Sequence, residues 1–346
     1  MKKTALGVGG MDYLDRYLLE VIASFPMKRK PAFLYAVVTG KRTGQAVQDS
    51  HLFGVTRLFG CAPMLKSETF DARLASMMER DILSITEDGV EIRVKADIPF
   101  VARFPYLDGF AFQNRTDLFF ERLLLAVQVF SNFKHERKHY LPIVRDDVTQ
   151  LAVKFWLADM MKSKSKEMAR RDFYKELEKW FLDGEPRFYV PRFSGGDYIG
   201  KTGLQVANEL DLAPWEYYFE WLNGLHQLFA KLDTEFPILN GLMPDSQLGL
   251  TASAQKTWQL WQQNVSMEKM INLRRLKLST IQDHIVEIAA TIPNFSVDAW
   301  INEAAVISIS EQQWISLKDI KQAFPNLDYF QIRLALVAKR RGAICS

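Results

Sequence analysis

The sequence predicts a mainly α protein with an N-terminal winged helix carrying one short β-hairpin, a helical middle and a C-terminal helix-turn-helix unit. Apolar residues recur at helical spacing through most of the chain. The period switches to two around Asp88-Gly89, a dipeptide that favours a hairpin turn. Near the C-terminus two helix-turn-helix patterns follow one another, each with a capping-box sequence.

Residues 1–97 are expected to form the winged helix. Met11 to Phe25 places Leu14, Leu18, Leu19 and Ile22 on one helical face. Further helices are expected over Pro31–Val38, Thr43–Phe59 and Ser67–Arg80, with Gly60 suited to end the third. Alternating residues over 82–86 and 90–94 supply the hairpin. Residues 98–262 carry six candidate helices: Asp117–Lys134, Asp146–Lys162, Ser165–Phe181, Thr202–Leu210, Pro214–Leu232 and Ala252–Gln263. The pair within 202–232 reads as helix-turn-helix, with Pro214 in the first position of its second helix. Residues 263–346 form the last unit. A helix over Ser266–Leu273, a turn over Arg274–Leu278 and a longer helix from Ser279 are followed by helices over Leu317–Phe324 and Asp328–Lys339. Ser279 with Gln282, and Asp328 with Gln331, have capping-box spacing. Ile281, Ile285, Ile288 and Ile292 recur on one face of the longer helix.

Composition narrows the function classes. A 48% apolar, 25% charged chain is an ordinary globular protein, and a net charge of +3 confines any nucleic-acid contact to local patches. Two distant cysteines, Cys61 and Cys345, exclude a disulfide framework and a cysteine zinc cluster, and they suit a cytoplasmic location. Neither a secretory signal nor a membrane-spanning stretch is read from the sequence.

Two motifs look catalytic. His135-Glu136-Arg137-Lys138-His139 matches the zinc-binding H-E-x-x-H pattern, with His135 and His139 as the ligands. Arg and Lys at its centre would repel a cation, and Leu141-Pro142 ends the helix almost at once, so a charged helix end fits better and no metal is expected. Gly195 to Thr202 matches the phosphate-cradling G-x-x-x-x-G-K-[ST] loop through Gly195, Gly200, Lys201 and Thr202. Its context is wrong for that loop: Pro191 and two arginines stand where a buried strand should precede it. A P-loop nucleotide-binding protein remains an alternative reading, but no cofactor is expected and the chain reads as a non-enzyme.

Basic clusters supply the candidate contacts. Lys28, Arg29, Lys30, Lys41 and Arg42 precede Gln45 and Gln48, a set suited to phosphates and base edges or to a solvated loop. Arg274, Arg275 and Lys277 lie in the C-terminal turn, followed by Ser279, Thr280 and His284. Asp283 and Glu287 on the same helix would repel a phosphate backbone, so a protein partner is the other reading. A third run, Lys162, Lys164, Lys166, Arg170 and Arg171, has no aromatic residue within it and reads as a solvated face.

Asn272 to Ile285 contains an R-x-L-x-x-S-T-I-x-x-H core that resembles the helix-turn-helix domain at the C-termini of RecQ-type helicases, and Tyr329 to Leu334 also fits that domain. Gly40 to Gly54 is similar to the N-terminal signature of the bacterial YpbB family. The resemblance implies DNA, structured or single-stranded, and a RecQ-type helicase as partners. It also implies an accessory role in DNA repair or recombination, and it brings over no catalytic residue. A protein scaffold or transcription regulator built on helix-turn-helix units is the remaining alternative.

Overall fold

The computed structural model describes residues 11–94, 100–137 and 139–338, with backbone alone at residues 247 and 248. Lys138, Lys339 and Cys345 lie outside the described residues.

Chain order begins with helices α1 (Tyr13–Ala23), α2 (Pro31–Thr39), α3 (Gly44–Leu52) and α4 (Ser67–Glu79), then strands β1 (Leu83–Thr86) and β2 (Gly89–Ile92). Asp12 caps α1 by accepting from the Leu14 N–H, and Thr43 caps α3 by accepting from Ala46. The third helix stops at Leu52, short of the expected Phe59. Gly54 turns into the left-handed region at φ 76°, and the chain continues as a 3-10 turn over Val55–Arg57. β1 and β2 pair antiparallel with Thr86 opposite Gly89, so the connecting residues are Glu87 and Asp88 rather than Asp88-Gly89. The hairpin lies against α4 and α1.

The middle comprises α5 (Phe100–Arg103), α6 (Gly109–Phe112), α7 (Thr116–Lys134), α8 (Asp147–Met160), α9 (Lys166–Asp183), α10 (Gly203–Glu209), α11 (Pro214–Phe229), α12 (Leu232–Glu235) and α13 (Pro237–Asn240). It shares one apolar core with the first four helices. Tyr17 of α1, Phe100 of α5 and Phe219 of α11 meet with ring centroids 4.9–5.4 Å apart, which joins the two parts through aromatic edges. His226 of α11 sits inside this core. Its Nδ1 accepts from the Asp108 N–H at 3.0 Å, so the neutral ring carries its proton on Nε2, 3.2 Å from the Thr116 hydroxyl. Burial pushes its pKa down to about 3.

The last elements are α14 (Ala252–Gln262), α15 (Met267–Arg274), α16 (Leu278–Thr291), α17 (Glu303–Ser310), α18 (Leu317–Ala323) and α19 (Tyr329–Ala338). They enclose a second core that begins at Leu250, ahead of residue 263, because α14 packs on α16. Ile281, Ile285 and Ile288 are fully buried there and Ile292 nearly so. The Asp328–Gln331 capping box forms in both directions, at 2.9 and 2.7 Å. The Ser279–Gln282 box does not. Leu276 packs against the second core, Lys277 takes the cap position, and α16 starts at Leu278.

Candidate nucleic-acid and partner interface

α15 ends where Arg275 enters the left-handed region at φ 50°, and its N–H and that of Leu276 return to carbonyls of the last turn. This places Arg275 and Lys277 in solvent, with Ser279 exposed and Thr280 half-buried beside them. Arg274 points the other way. Its guanidinium donates to the Ser253 carbonyl at 3.0 Å, the Ser253 hydroxyl at 3.0 Å and the Thr257 hydroxyl at 2.6 Å. Thr257 in turn lies 2.9 Å from Nδ1 of His284, which is buried. Burial first, then the Arg274 charge, hold the His284 pKa below its ordinary value. The Arg and His of the R-x-L-x-x-S-T-I-x-x-H core therefore fasten α14, α15 and α16 together instead of facing a ligand. Ser253 and Thr257 complete this network from α14. Nothing in the local sequence marked them, because their partners lie 17 to 27 residues away.

The two carboxylates expected to repel DNA are also occupied. Glu287 is buried and accepts from both the N–H of Thr251, at 2.6 Å, and its hydroxyl, at 3.0 Å. Asp283 pairs with Arg333 of α19 at 2.5 Å. α16 is thus the central helix of its domain, packed by α14, α15 and α19.

The N-terminal set divides in the same way. Arg29 pairs with Asp49 at 2.9 Å and lies over the rings of Phe25, Phe33 and Phe53 at 5.1–5.5 Å. Its carbonyl accepts from Val90 at 2.9 Å, which ties β2 to the α1–α2 turn. Arg42 lies 4.0 Å over the Phe110 ring and donates to the Phe110 carbonyl at 3.0 Å and to the Thr291 hydroxyl at 2.8 Å. Burial lowers its pKa to about 10, opposed by Glu287. Arg29 and Arg42 are therefore structural, contrary to the expectation of phosphate contact. Lys28 pairs with Glu91 at 2.8 Å on the exposed face of the hairpin. Gln48 donates to Asp49 at 3.0 Å. Lys30, Lys41 and Gln45 are exposed.

α3 is covered by the C-terminal domain. It packs on α19 and α16. A Cβ at Gly44 would sit 3.6 Å from Asp283 Oδ1 and 3.7 Å from Arg333. Leu52 joins the second core, and Arg42 reaches the last residue of α16. The Gly40–Gly54 segment and the Asn272–Ile285 segment, read separately in the sequence, face each other across one contact.

Neither catalytic-looking motif assembles its expected site. α7 ends at Lys134, and His135 is its C-cap. Glu136 turns into the left-handed region at φ 54°, so His135 and His139 do not share a helical face. No group of three metal-binding side chains occurs among the described residues. At Gly195–Thr202 a 3-10 turn precedes the loop where a strand would be needed. Gly195 and Tyr198 close a tight turn with reciprocal bonds of 3.0 and 2.9 Å. Gly200 donates to the Ser194 hydroxyl, Lys201 pairs with Glu209, and the Thr202 hydroxyl caps α10 within a capping box to Gln205. The lysine and hydroxyl that a phosphate site would use are thus engaged elsewhere.

These features define a mainly α protein of the helix-turn-helix class, with its C-terminal domain fastened onto α3. A family model described as a helix-turn-helix domain matches residues 253–336. The chain is 28% identical over 348 aligned positions to the protein YpbB of Bacillus subtilis, covering 94% of this chain and 97% of that one. The similarity to YpbB runs along nearly the whole chain, and the helix-turn-helix domain marks a DNA-associated protein. No solved structure matches it. Among the described residues, no helix is long and apolar enough to cross a membrane.

Proposed function

We propose that this protein is a non-enzymatic accessory factor that docks DNA and a RecQ-type helicase during repair or recombination. The observation that carries the reading is the helix-turn-helix domain at residues 253–336. Its α15–α16 turn holds Arg275 and Lys277 in solvent beside exposed Leu273 and Leu278, a small basic and apolar edge suited to a partner. Packing of α3 on α16 and α19, with Arg42 donating to Thr291, supports a rigid adaptor over a tethered pair of domains.

Binding of forked DNA at low salt, alone and with the helicase, tests both halves. The expected result is a shift that weakens steeply as salt rises, through counterion release, together with co-purification of the helicase from nuclease-treated extract. Absence of any DNA affinity at low ionic strength removes the DNA half. Absence of the helicase from the purified complex removes the partner half.

A further inference from the structure

The two motifs that look catalytic in the sequence touch each other in the fold. Arg137 donates to the Gly196 carbonyl at 2.7 Å and pairs with Asp197 at 2.5 Å. A Cβ at Gly196 would lie 3.0 Å from the His135 ring, and one at Gly195 would meet the Ser131 hydroxyl at 2.3 Å. The end of α7 and the 194–201 loop therefore form one wall, and α9 runs beside it.

Three open grooves follow this wall. The first, of about 800 Å³, is lined in part by Phe133, Lys134, Tyr140, Lys166 and Arg170. The second, of about 650 Å³, shares Lys134 and Arg170 with the first and adds Arg171, Tyr174 and Lys175. The third, of about 440 Å³, shares Ser131 and Tyr174 with the second and ends at Tyr198 and Lys201. Neighbouring grooves thus share walls along this surface.

The charges along the path are unevenly neutralised. Lys134, Arg170 and Lys175 have no ion pair among the described residues. Lys166 lies 5.2 Å over the Phe133 ring, and Arg171 has only an exposed contact with Asp172 at 3.4 Å. Glu136, Glu167 and Glu178 also line the grooves, and they are outnumbered. Aromatic side chains line the same grooves, as Phe133, Tyr140, Tyr174 and Tyr198. In the sequence the Lys162–Arg171 run has no aromatic residue. The fold supplies them from the end of α7, the following loop, the next turns of α9 and the 194–201 loop.

We propose that this path binds single-stranded nucleic acid, with Lys134, Arg170 and Lys175 on phosphates and Tyr174 as a stacking platform for a base. A positive groove with aromatic faces is the arrangement that holds unpaired strands without reading sequence. The inference rests on the DNA reading above and deepens it by placing strand contact on α7 and α9, away from the helix-turn-helix domain.

Fluorescence anisotropy of the full chain with labelled oligo(dT), across a salt series, tests it. The variant K134E/R170E/K175E changes exposed or half-exposed groups, and an unaltered thermal melt would confirm that it folds. Its affinity is expected to fall about tenfold or more, and the salt slope to shrink by about 2, for three lost phosphate contacts. Tyr174→Ala should weaken oligo(dT) while leaving heparin binding unchanged. R275E/K277E should lose less oligo(dT) affinity than the triple variant. If the triple variant keeps full affinity and R275E/K277E loses it, the path is overturned while the DNA reading stands. If Tyr174→Ala leaves oligo(dT) affinity unchanged, or oligo(dT) and heparin respond alike to it, the base-stacking assignment is overturned. If the unaltered chain binds no DNA at low salt, both readings fail together.

Discussion

The helix-turn-helix domain and the α7–α9 surface use their charged residues in opposite ways. In the first, Arg274, His284, Asp283 and Glu287 all have partners within the chain, and Arg42 is drawn in from the N-terminal domain. In the second, Lys134, Arg170 and Lys175 stand in grooves without ion pairs among the described residues. A buried charge is costly unless it is paired and hydrogen-bonded, so a motif rich in charges that recurs inside a domain tends to mark an internal network. An exposed run with ordinary composition carries no such constraint and leaves its charges available. The lesson is that the residues carrying the family resemblance are here chiefly architectural.

Breaking the second core should give the largest effect. Ile285→Ala removes a fully buried side chain from the centre of α16 and should cost about 2–5 kcal/mol, read from the denaturant midpoint. Two of the buried histidines, His226 and His284, sharpen the comparison by pH. Both folded pKa values lie below the ordinary 6.5, so each neutral ring stabilises the fold above that value, and the contribution is lost as pH falls. For His226, with a folded pKa of about 3, the loss between pH 6.5 and 3 should be on the order of 4 kcal/mol. His226→Gln should flatten that acid limb, measured by thermal melts across pH. His284→Gln should flatten it less.

Arg42→Ala should come next, at about 2–3 kcal/mol, because it removes the Thr291 and Phe110 bonds and leaves Glu287 without its facing cation. The calorimetric trace should then separate into two transitions, one for each core. A single transition shifted downward would contradict the view that Arg42 couples them. The smallest stability effect should come from Lys277→Glu, an exposed turn residue, at within about 0.5 kcal/mol by the same denaturant titration.

Much of the architecture is legible in the sequence. The isoleucine face of α16 follows directly from helical spacing, and the hairpin follows from alternation around one turn. α8, α9 and α11 lie close to where their apolar periodicity puts them. The misses have local physical causes. Helix α3 is shorter than its sequence predicts because Gly54, which could pass as a tolerated interior glycine, adopts φ 76° and ends the helix. The Ser279 box had the right spacing, but anchoring of Leu276 in the core moved the cap to Lys277. The candidate site was far less legible. Arg274 meets Ser253 and Thr257, Arg42 meets Thr291, and Tyr174 lines the same groove as Ser131, all separations that no local pattern can reveal.

The most direct test of the account is Arg274→Ala, with thermal stability and low-salt affinity for forked DNA measured on the same preparation. Arg274 is the leading residue of the R-x-L-x-x-S-T-I-x-x-H core and the hub of the α14–α15–α16 network. The account predicts a loss of about 1–3 kcal/mol in stability, from stranded partners at Ser253 and Thr257, with DNA affinity of the folded protein unchanged. An unchanged melting temperature together with a tenfold loss of DNA affinity would contradict it.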